Sequence, residues 1–119
     1  MYVPDRSLAR QMVEFDEVGT LLLFEVHDYI KFPREPAHNE MSRLLSLDGA
    51  AHRNVFLVAQ DGSPLWRAGD YEQHDEFPDQ FVEIWKEDST ECAYGWTFCG
   101  YKIKIQLADG TVTILEWTK

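Results

Sequence analysis

The chain has 119 residues, of which 45% are hydrophobic and 13% aromatic, and this is sufficient for one globular domain with a core of its own. Its 11 Lys and Arg residues against 21 Asp and Glu give a net charge of −10, which argues against direct binding to nucleic acids or anionic membranes. No signal-peptide pattern opens the chain, and its longest apolar run, Leu21–Phe24, is far too short to span a bilayer. We therefore expect a single domain, residues 1–119, in the cytoplasm, with both cysteines as buried thiols outside any disulfide.

The first third of the chain has weak local signals. After Asp5, a candidate helix cap, apolar residues recur at helical spacing as far as Phe15, but the same segment also fits an extended lead-in. Residues 20–32 have the composition of one strand, bent near residues 27–28. In the Pro- and Asn-containing connection that follows, Asn39 is a candidate cap for a short helix that ends before Gly49.

From residue 53 onward the pattern favours consecutive antiparallel strands. The continuous apolar run Val55–Ala59 predicts a central strand, and Asp61-Gly62 predicts the turn to a returning strand at Leu65-Trp66, with Pro64 at an edge or bulge. Two further strands are predicted at Phe81–Trp85 and Cys92–Phe98. We expect a mainly β fold (α+β is the alternative), a curved antiparallel sheet or small barrel-like sandwich with one or two short helices.

The last hairpin has the clearest pattern. Apolar and polar residues alternate strictly over residues 101–107, and Asp109-Gly110 marks the turn into Thr111–Trp117. Two registers are open: a two-residue loop pairs Ile105 with Ile114, whereas a three-residue loop with a bulge pairs Ile103 with Leu115.

No motif for catalysis or cofactor binding is recognisable. The histidines and cysteines lack zinc or redox spacing, no nucleophile elbow occurs, and no Gly-rich phosphate loop is present. The alternating acids from Asp70 resemble a calcium loop, but Asp75 stands where such a loop needs Gly, and Phe81 where it needs Glu. We therefore expect no enzyme activity, no catalytic residue, no metal and no cofactor.

The acidic charge is concentrated in one segment. Residues 70–91 contain nine acids and one base, a net charge of −8, whereas the other 97 residues contain 12 acids and 10 bases, a net charge of −2. Aromatic residues are interleaved with the acids, and interfaces combine such anchors with complementary charge. The simpler interpretation is a solvated surface that keeps the protein soluble. The functional interpretation predicts these partner-binding residues: Asp70, Tyr71, Glu72, Asp75, Glu76, Asp79, Glu83, Trp85, Glu87 and Asp88.

Strand alternation complicates a single acidic surface. If Phe81 faces the core, regular alternation puts Glu83 and Trp85 on the same inner side and Ile84 on the outer side. The strand Phe81–Trp85 is then not cleanly acidic on one face.

From residue 53 onward, over a little more than half the chain, short motifs occur in this order: Arg53-Asn54-Val55-Phe56, Asp61-Gly62, Leu65-Trp66-Arg67, Phe77-Pro78-Asp79, Phe81-Val82-Glu83-Ile84, Ala93-Tyr94-x-Trp96, Gly100-Tyr101 and Asp109-Gly110-Thr111-Val112. In these motifs the chain resembles a loose group of small bacterial proteins that are similar to immunity proteins of contact-dependent growth inhibition and other polymorphic toxin systems. The resemblance implies a non-enzymatic protein that binds and blocks a cognate toxin domain. A basic nuclease-type toxin would suit the acidic charge.

Two other functions are open at this point. A general protein-interaction domain, including a homodimer formed through an exposed sheet edge, is compatible with the strand pattern. A small-molecule-binding β domain is the other, and an aromatic-lined pocket between the sheet and residues 33–52 would favour it.

Overall fold

The computed structural model describes residues 4–25, 40–47, 52–71, 79–88 and 91–117. A short 3-10 helix, Arg6–Leu8, precedes the main elements. In chain order these are β1 (Gln11–Phe15), β2 (Gly19–Leu23), α1 (Glu40–Leu47), β3 (Val55–Val58), β4 (Pro64–Arg67), β5 (Phe81–Trp85), β6 (Cys92–Thr97), β7 (Tyr101–Gln106) and β8 (Val112–Trp117).

The described strands form two four-stranded sheets, the first in the order β1-β2-β3-β4 and the second in the order β5-β6-β7-β8. Every neighbouring pair is antiparallel. Short connections such as the β1–β2 turn permit only this direction, and the longer β2–β3 connection, which contains α1, also returns the chain antiparallel. The mainly β prediction is confirmed, and the sheets do not close into a barrel.

The two sheets pack face to face around one apolar core. In β7 the odd-numbered residues Tyr101, Ile103 and Ile105 are buried, whereas the intervening lysines are half-buried on the other face. Leu21 and Leu57 contribute to the same core from the first sheet. Each fully buried Leu or Ile side chain stabilises the fold by roughly 1.5–3 kcal/mol, so this layer is the main source of stability.

The first sheet is covered on its other face by α1. Met41 and Leu45 of this helix pack in one cluster with Leu22, Phe24 and Phe56. Both faces of β2 and β3 are consequently buried. This confirms the central strand predicted over Val55–Ala59, which ends at Val58, and the helix predicted after residue 39. Its predicted cap, Asn39, lies outside the described residues. No helix among the described residues is long and apolar enough to cross a membrane.

The N-terminal segment is extended up to Phe15 and not helical, apart from one short 3-10 helix. Asp5 caps only the short 3-10 helix, where its carboxylate accepts a hydrogen bond from the backbone N–H of Ser7 at 3.0 Å. Residues 11–15 then pair with β2 as a strand, so the alternative of a helix reaching Phe15 is wrong. The predicted strand over residues 20–32 ends at Leu23 as β2, and its predicted bend lies outside the described residues.

Two carboxamide side chains of the first sheet hold β5, the edge strand of the second. The Asn54 side chain accepts a hydrogen bond from Phe81 N at 2.8 Å and donates to Phe81 O at 2.9 Å. Gln11 accepts from Ile84 N at 2.8 Å and donates to Ile84 O at 2.5 Å. Each amide therefore replaces the neighbouring strand that β5 lacks on this side.

The C-terminal hairpin adopts neither predicted register. Ile105 pairs with Val112 and Ile103 with Ile114, and a bulge follows in β8. The turn already begins after Gln106, whose N–H donates to Thr111 O at 2.8 Å. Gly110 has a φ of 79° and lies against the Trp66 ring, so a tertiary contact and a left-handed residue set the loop length.

Candidate functional site

A bulge in β5 decides which of its side chains face solvent. Phe81 pairs with Thr97, but Glu83 already pairs with Trp96, so Val82 is an extra residue in this strand. Phe81 and Ile84 are therefore both buried, at 1% and 0% exposure. The expectation that Glu83 and Trp85 share the Phe81 side was wrong, because the extra residue reverses the alternation.

Three aromatic side chains lie together on the outer face of the second sheet. Trp85 pairs across the strands with Tyr94, with ring centroids 6.2 Å apart and planes inclined by 21°. The Trp96 ring lies 6.3 Å from that of Trp85 at 33°. All three are half-buried, and we call Trp85, Tyr94 and Trp96 the aromatic surface.

A glycine on the inner side makes room for this arrangement. Gly95 lies between Tyr94 and Trp96 and points into the core, where an added Cβ would be 2.6 Å from Cδ1 of Phe81. Phe81 can therefore pack directly under β6. Because Gly95 has no side chain, the Phe81 ring occupies the space that one would fill, and β5 and β6 can lie close together. Their outer aromatic residues therefore lie side by side.

Acidic side chains border the aromatic surface along β5 and the connection to β6. Glu83, Glu87, Asp88 and Glu91 are all exposed, and we call them the acidic edge. Lys86, the single base of residues 70–91, donates to the backbone carbonyl of Glu14 at 2.8 Å. Its ammonium lies 5.7 Å from the centre of the Phe15 ring, so its charge is directed toward β1.

Lysines border the aromatic surface on its other side. Lys104 of β7 stands opposite Tyr94, and Lys102 stands opposite Trp96. Beyond them, Glu116 of β8 pairs with Lys102. The outer face is therefore acidic at β5, aromatic at its centre and mixed in charge toward β8.

Two of the predicted partner-binding residues lie in the core. Tyr71 is 8% exposed and Asp79 is 1% exposed. Asp79 Oδ1 accepts hydrogen bonds from the backbone N–H groups of Gln80 at 2.8 Å and Cys99 at 3.0 Å. Burial raises the pKa of the Tyr71 hydroxyl well above its usual range, and the Asp79 carboxylate raises it further. Because both side chains are buried in the core, neither belongs to the candidate surface.

Asp70 is exposed but already engaged. Its carboxylate pairs with the imidazole of the buried His52, and this hydrogen bond lowers the pKa of Asp70. The His52 ring in turn packs edge-on against Tyr71 at 5.2 Å. Asp70 therefore stabilises the segment that leaves β4. The remaining predicted residues, Glu72, Asp75 and Glu76, lie outside the described residues.

Four of the predicted residues lie in β5 or directly after it: Glu83, Trp85, Glu87 and Asp88. Tyr94 and Trp96 were missed, although their spacing around Gly95 is the signal that two rings share one face of a strand.

The described residues were compared with the requirements of a metal site and of a ligand pocket. No group of three or more His, Cys, Asp or Glu side chains among them is arranged to hold a metal ion. An open cleft of about 440 Å³ lies beside the β1–β2 turn, and its lining is largely polar, with Phe15 as its one aromatic residue. The aromatic pocket that a small-molecule function would favour was expected beside residues 33–52, and most of these lie outside the described residues.

A scan against protein-family models and searches of curated proteins and of solved structures found no match to this chain.

Proposed function

We propose that this protein is a non-enzymatic binding protein whose acidic edge and aromatic surface engage a basic protein. The observation that carries the proposal is the placement of Trp85, Tyr94 and Trp96 on one face of the second sheet, directly beside exposed acids. Trp and Tyr are the residues that most often dominate binding energy at protein interfaces. Complementary charge around them accelerates association and selects the partner.

We further propose that the partner is a toxin domain and that the protein acts as its immunity protein. The resemblance noted above and the net charge of −10 support this assignment, because an enzyme that cleaves nucleic acid presents a basic groove to its substrate. An acidic protein that covers such a groove excludes the substrate without any chemistry of its own. Inhibition would then follow from occupancy alone.

Co-expression with the protein encoded immediately upstream tests this function. We expect a stable complex and protection of the cell from that protein's toxicity. Failure to form a complex, together with failure to protect, would remove the immunity proposal.

Variants at the surface test where the partner binds. Replacement of Trp85 by Ala removes a ring at the centre of the surface, and we expect about 2 kcal/mol of lost binding energy, which is roughly a 30-fold weaker Kd. The double variant Glu87→Lys, Asp88→Lys should slow association about tenfold at low ionic strength, and added salt should reduce that difference.

A control is Glu40→Lys, which reverses one exposed acid rather than two and removes its ion pair with Arg43 on the same helix. Glu40 lies on α1, on the side of the first sheet that faces away from the second, so the association rate should change little. An association rate that is insensitive to salt and to the reversal at residues 87 and 88 would contradict a role for the acidic edge.

A further inference from the structure

The aromatic surface lies between residues of opposite charge. The strand register gives two rows of directly opposed residues across the outer face of the second sheet: Glu83, Trp96, Lys102 and Glu116 in one, and Trp85, Tyr94, Lys104 and Thr113 in the other. Directly opposed side chains on one face have Cβ atoms about 4.5–5.5 Å apart. Trp96 therefore has an acidic neighbour on β5, and Trp96 and Tyr94 each have a lysine as their neighbour on β7.

Lys104 is the lysine whose charge has no acidic residue directly opposite. Its neighbours on the two adjacent strands, Tyr94 and Thr113, are uncharged. Lys102, by contrast, has Glu116 directly opposite. No ion pair joins Lys104 to any residue that the structure describes. Lys104 is half-buried, so a partner that covers the adjacent Tyr94 ring also takes the lysine side chain out of water.

A charge that is covered at an interface needs an opposite charge on the partner. Removing an ammonium or carboxylate group from water without such a group is costly, whereas a paired charge fixes how the two proteins are oriented. Glu83 and Lys104 lie on β5 and β7, with β6 between them. From the spacing of strands and residues, their Cα atoms are roughly 12 Å apart. This exceeds the Debye length of about 8 Å at physiological ionic strength, so each charge has to be met by its own group.

We propose that the partner protein presents two opposite charges to this face, a basic side chain to Glu83 and a carboxylate to Lys104, on either side of the apolar group that covers the rings. This pairing, which rests on the proposed function, specifies the partner's side of the contact. It differs from attraction by net charge, because a protein with a net charge of −10 attracts a basic surface in any orientation. Two opposite charges select one orientation and disfavour a uniformly basic surface.

Lys104→Glu distinguishes these two modes of recognition by the sign of its effect. The variant adds two negative charges to a protein that is already acidic. A uniformly basic partner would associate faster and bind more tightly. A carboxylate on the partner would instead face a second carboxylate, and we expect a roughly tenfold weaker Kd. Binding of the protein encoded immediately upstream, measured at several ionic strengths, gives the association rate and the Kd.

Arg43→Glu is the charge-matched control. It makes the same change of charge at an exposed site on α1, although it also removes the ion pair with Glu40 on that helix. Because α1 covers the face of the first sheet that points away from the second, the Kd should change less than about twofold. Lys104→Gln removes the attraction without new repulsion and should weaken binding about threefold. Circular dichroism and urea unfolding establish that both Lys104 variants are folded.

A charge exchange tests the contact itself. Each exposed Asp and Glu of the partner protein is replaced by Lys in turn, and one of these changes should restore the affinity of Lys104→Glu while it weakens binding of the wild-type protein. Likewise, replacement of one Arg or Lys of the partner protein by Glu should restore the affinity of Glu83→Lys. Restoration by the reversed pair requires that the two residues interact, which a folding defect cannot imitate.

The outcomes separate this inference from the proposed function. A complex that Lys104→Glu tightens or leaves unchanged, or one whose affinity no exchanged acid restores, would overturn the opposite-charge pairing and leave the proposed function in place. Failure of the wild-type protein to bind the upstream-encoded protein would remove both. A tenfold loss that a single exchanged acid restores would support the pairing and identify the residue opposite Lys104.

Discussion

Asn54 offers the sharpest test of how the two sheets are held together. Its side chain is fully buried, and it makes hydrogen bonds to Phe24 O at 2.8 Å, Phe81 O at 2.9 Å and Phe81 N at 2.8 Å. It thus joins the chain after β2 to the first residue of β5. Replacement by Ala would leave these three backbone groups without their partner, in a region that water does not reach.

The size of the expected stability loss follows from the burial of the Asn54 side chain. Each of these hydrogen bonds contributes about 1 kcal/mol net, and a buried group left unsatisfied adds a desolvation penalty, so we expect Asn54→Ala to lower the free energy of unfolding by about 3–5 kcal/mol. Gln11→Ala is the matched control, because its amide binds Ile84 in the same way but at a partly buried site. Water can replace that amide, and the expected loss is about 1 kcal/mol.

Urea unfolding followed by tryptophan fluorescence and circular dichroism measures both losses. Asn54→Asp adds a test by pH, since a buried carboxylate would face the carbonyls of Phe24 and Phe81. The protonated acid is the better tolerated form, so the folded-state pKa of this carboxyl is raised. The stability of Asn54→Asp should be greatest in acid and should fall as the pH rises through that pKa. A loss of less than about 1 kcal/mol for Asn54→Ala would refute the bridging role.

Two further changes follow from the same structure. Gly95→Ala would bring a methyl group within 2.6 Å of the Phe81 ring, and we expect overpacking to cost about 1–3 kcal/mol in urea unfolding; unchanged stability would mean that the ring does not pack under β6. Asp70→Asn removes the carboxylate that pairs with His52, and the expected loss is below about 1 kcal/mol because Asp70 is exposed. Since the folded-state pKa of Asp70 is lowered from 3.8, this contribution is present above that pH and disappears as the pH falls through the lowered value. Unfolding measured at pH 6 and at successively lower pH values should therefore show a difference between the wild-type protein and Asp70→Asn that shrinks as the pH falls below 3.8.

The sequence was informative wherever a local pattern was sufficient. Strict alternation placed Tyr101, Ile103 and Ile105 in the core. The continuous apolar run Val55–Ala59 predicted a strand covered on both faces, and the structure has it at Val55–Val58. The acidic segment was also visible from composition, and Glu83, Trp85, Glu87 and Asp88 do lie at one edge of the second sheet.

Local pattern failed where a long-range contact overrode it. A bulge at Val82 reversed the side of Glu83 and Trp85, and bulges depend on the register with the neighbouring strand. The hairpin register was likewise set by the packing of Gly110 against Trp66, residues far apart in the chain. The charge count could not show that the Asp79 carboxylate is buried and accepts a hydrogen bond from the backbone N–H of Cys99.

The sequence by itself determined that this protein is acidic, mainly β and antiparallel, with most of its excess charge in a single segment. Tertiary structure alone decided which of the described acids reach solvent and which aromatic rings lie beside them. The physical reason is that alternation and propensity act between neighbours along the chain. Bulges, buried amide bridges and ring contacts are instead fixed by residues that meet only when the two sheets pack.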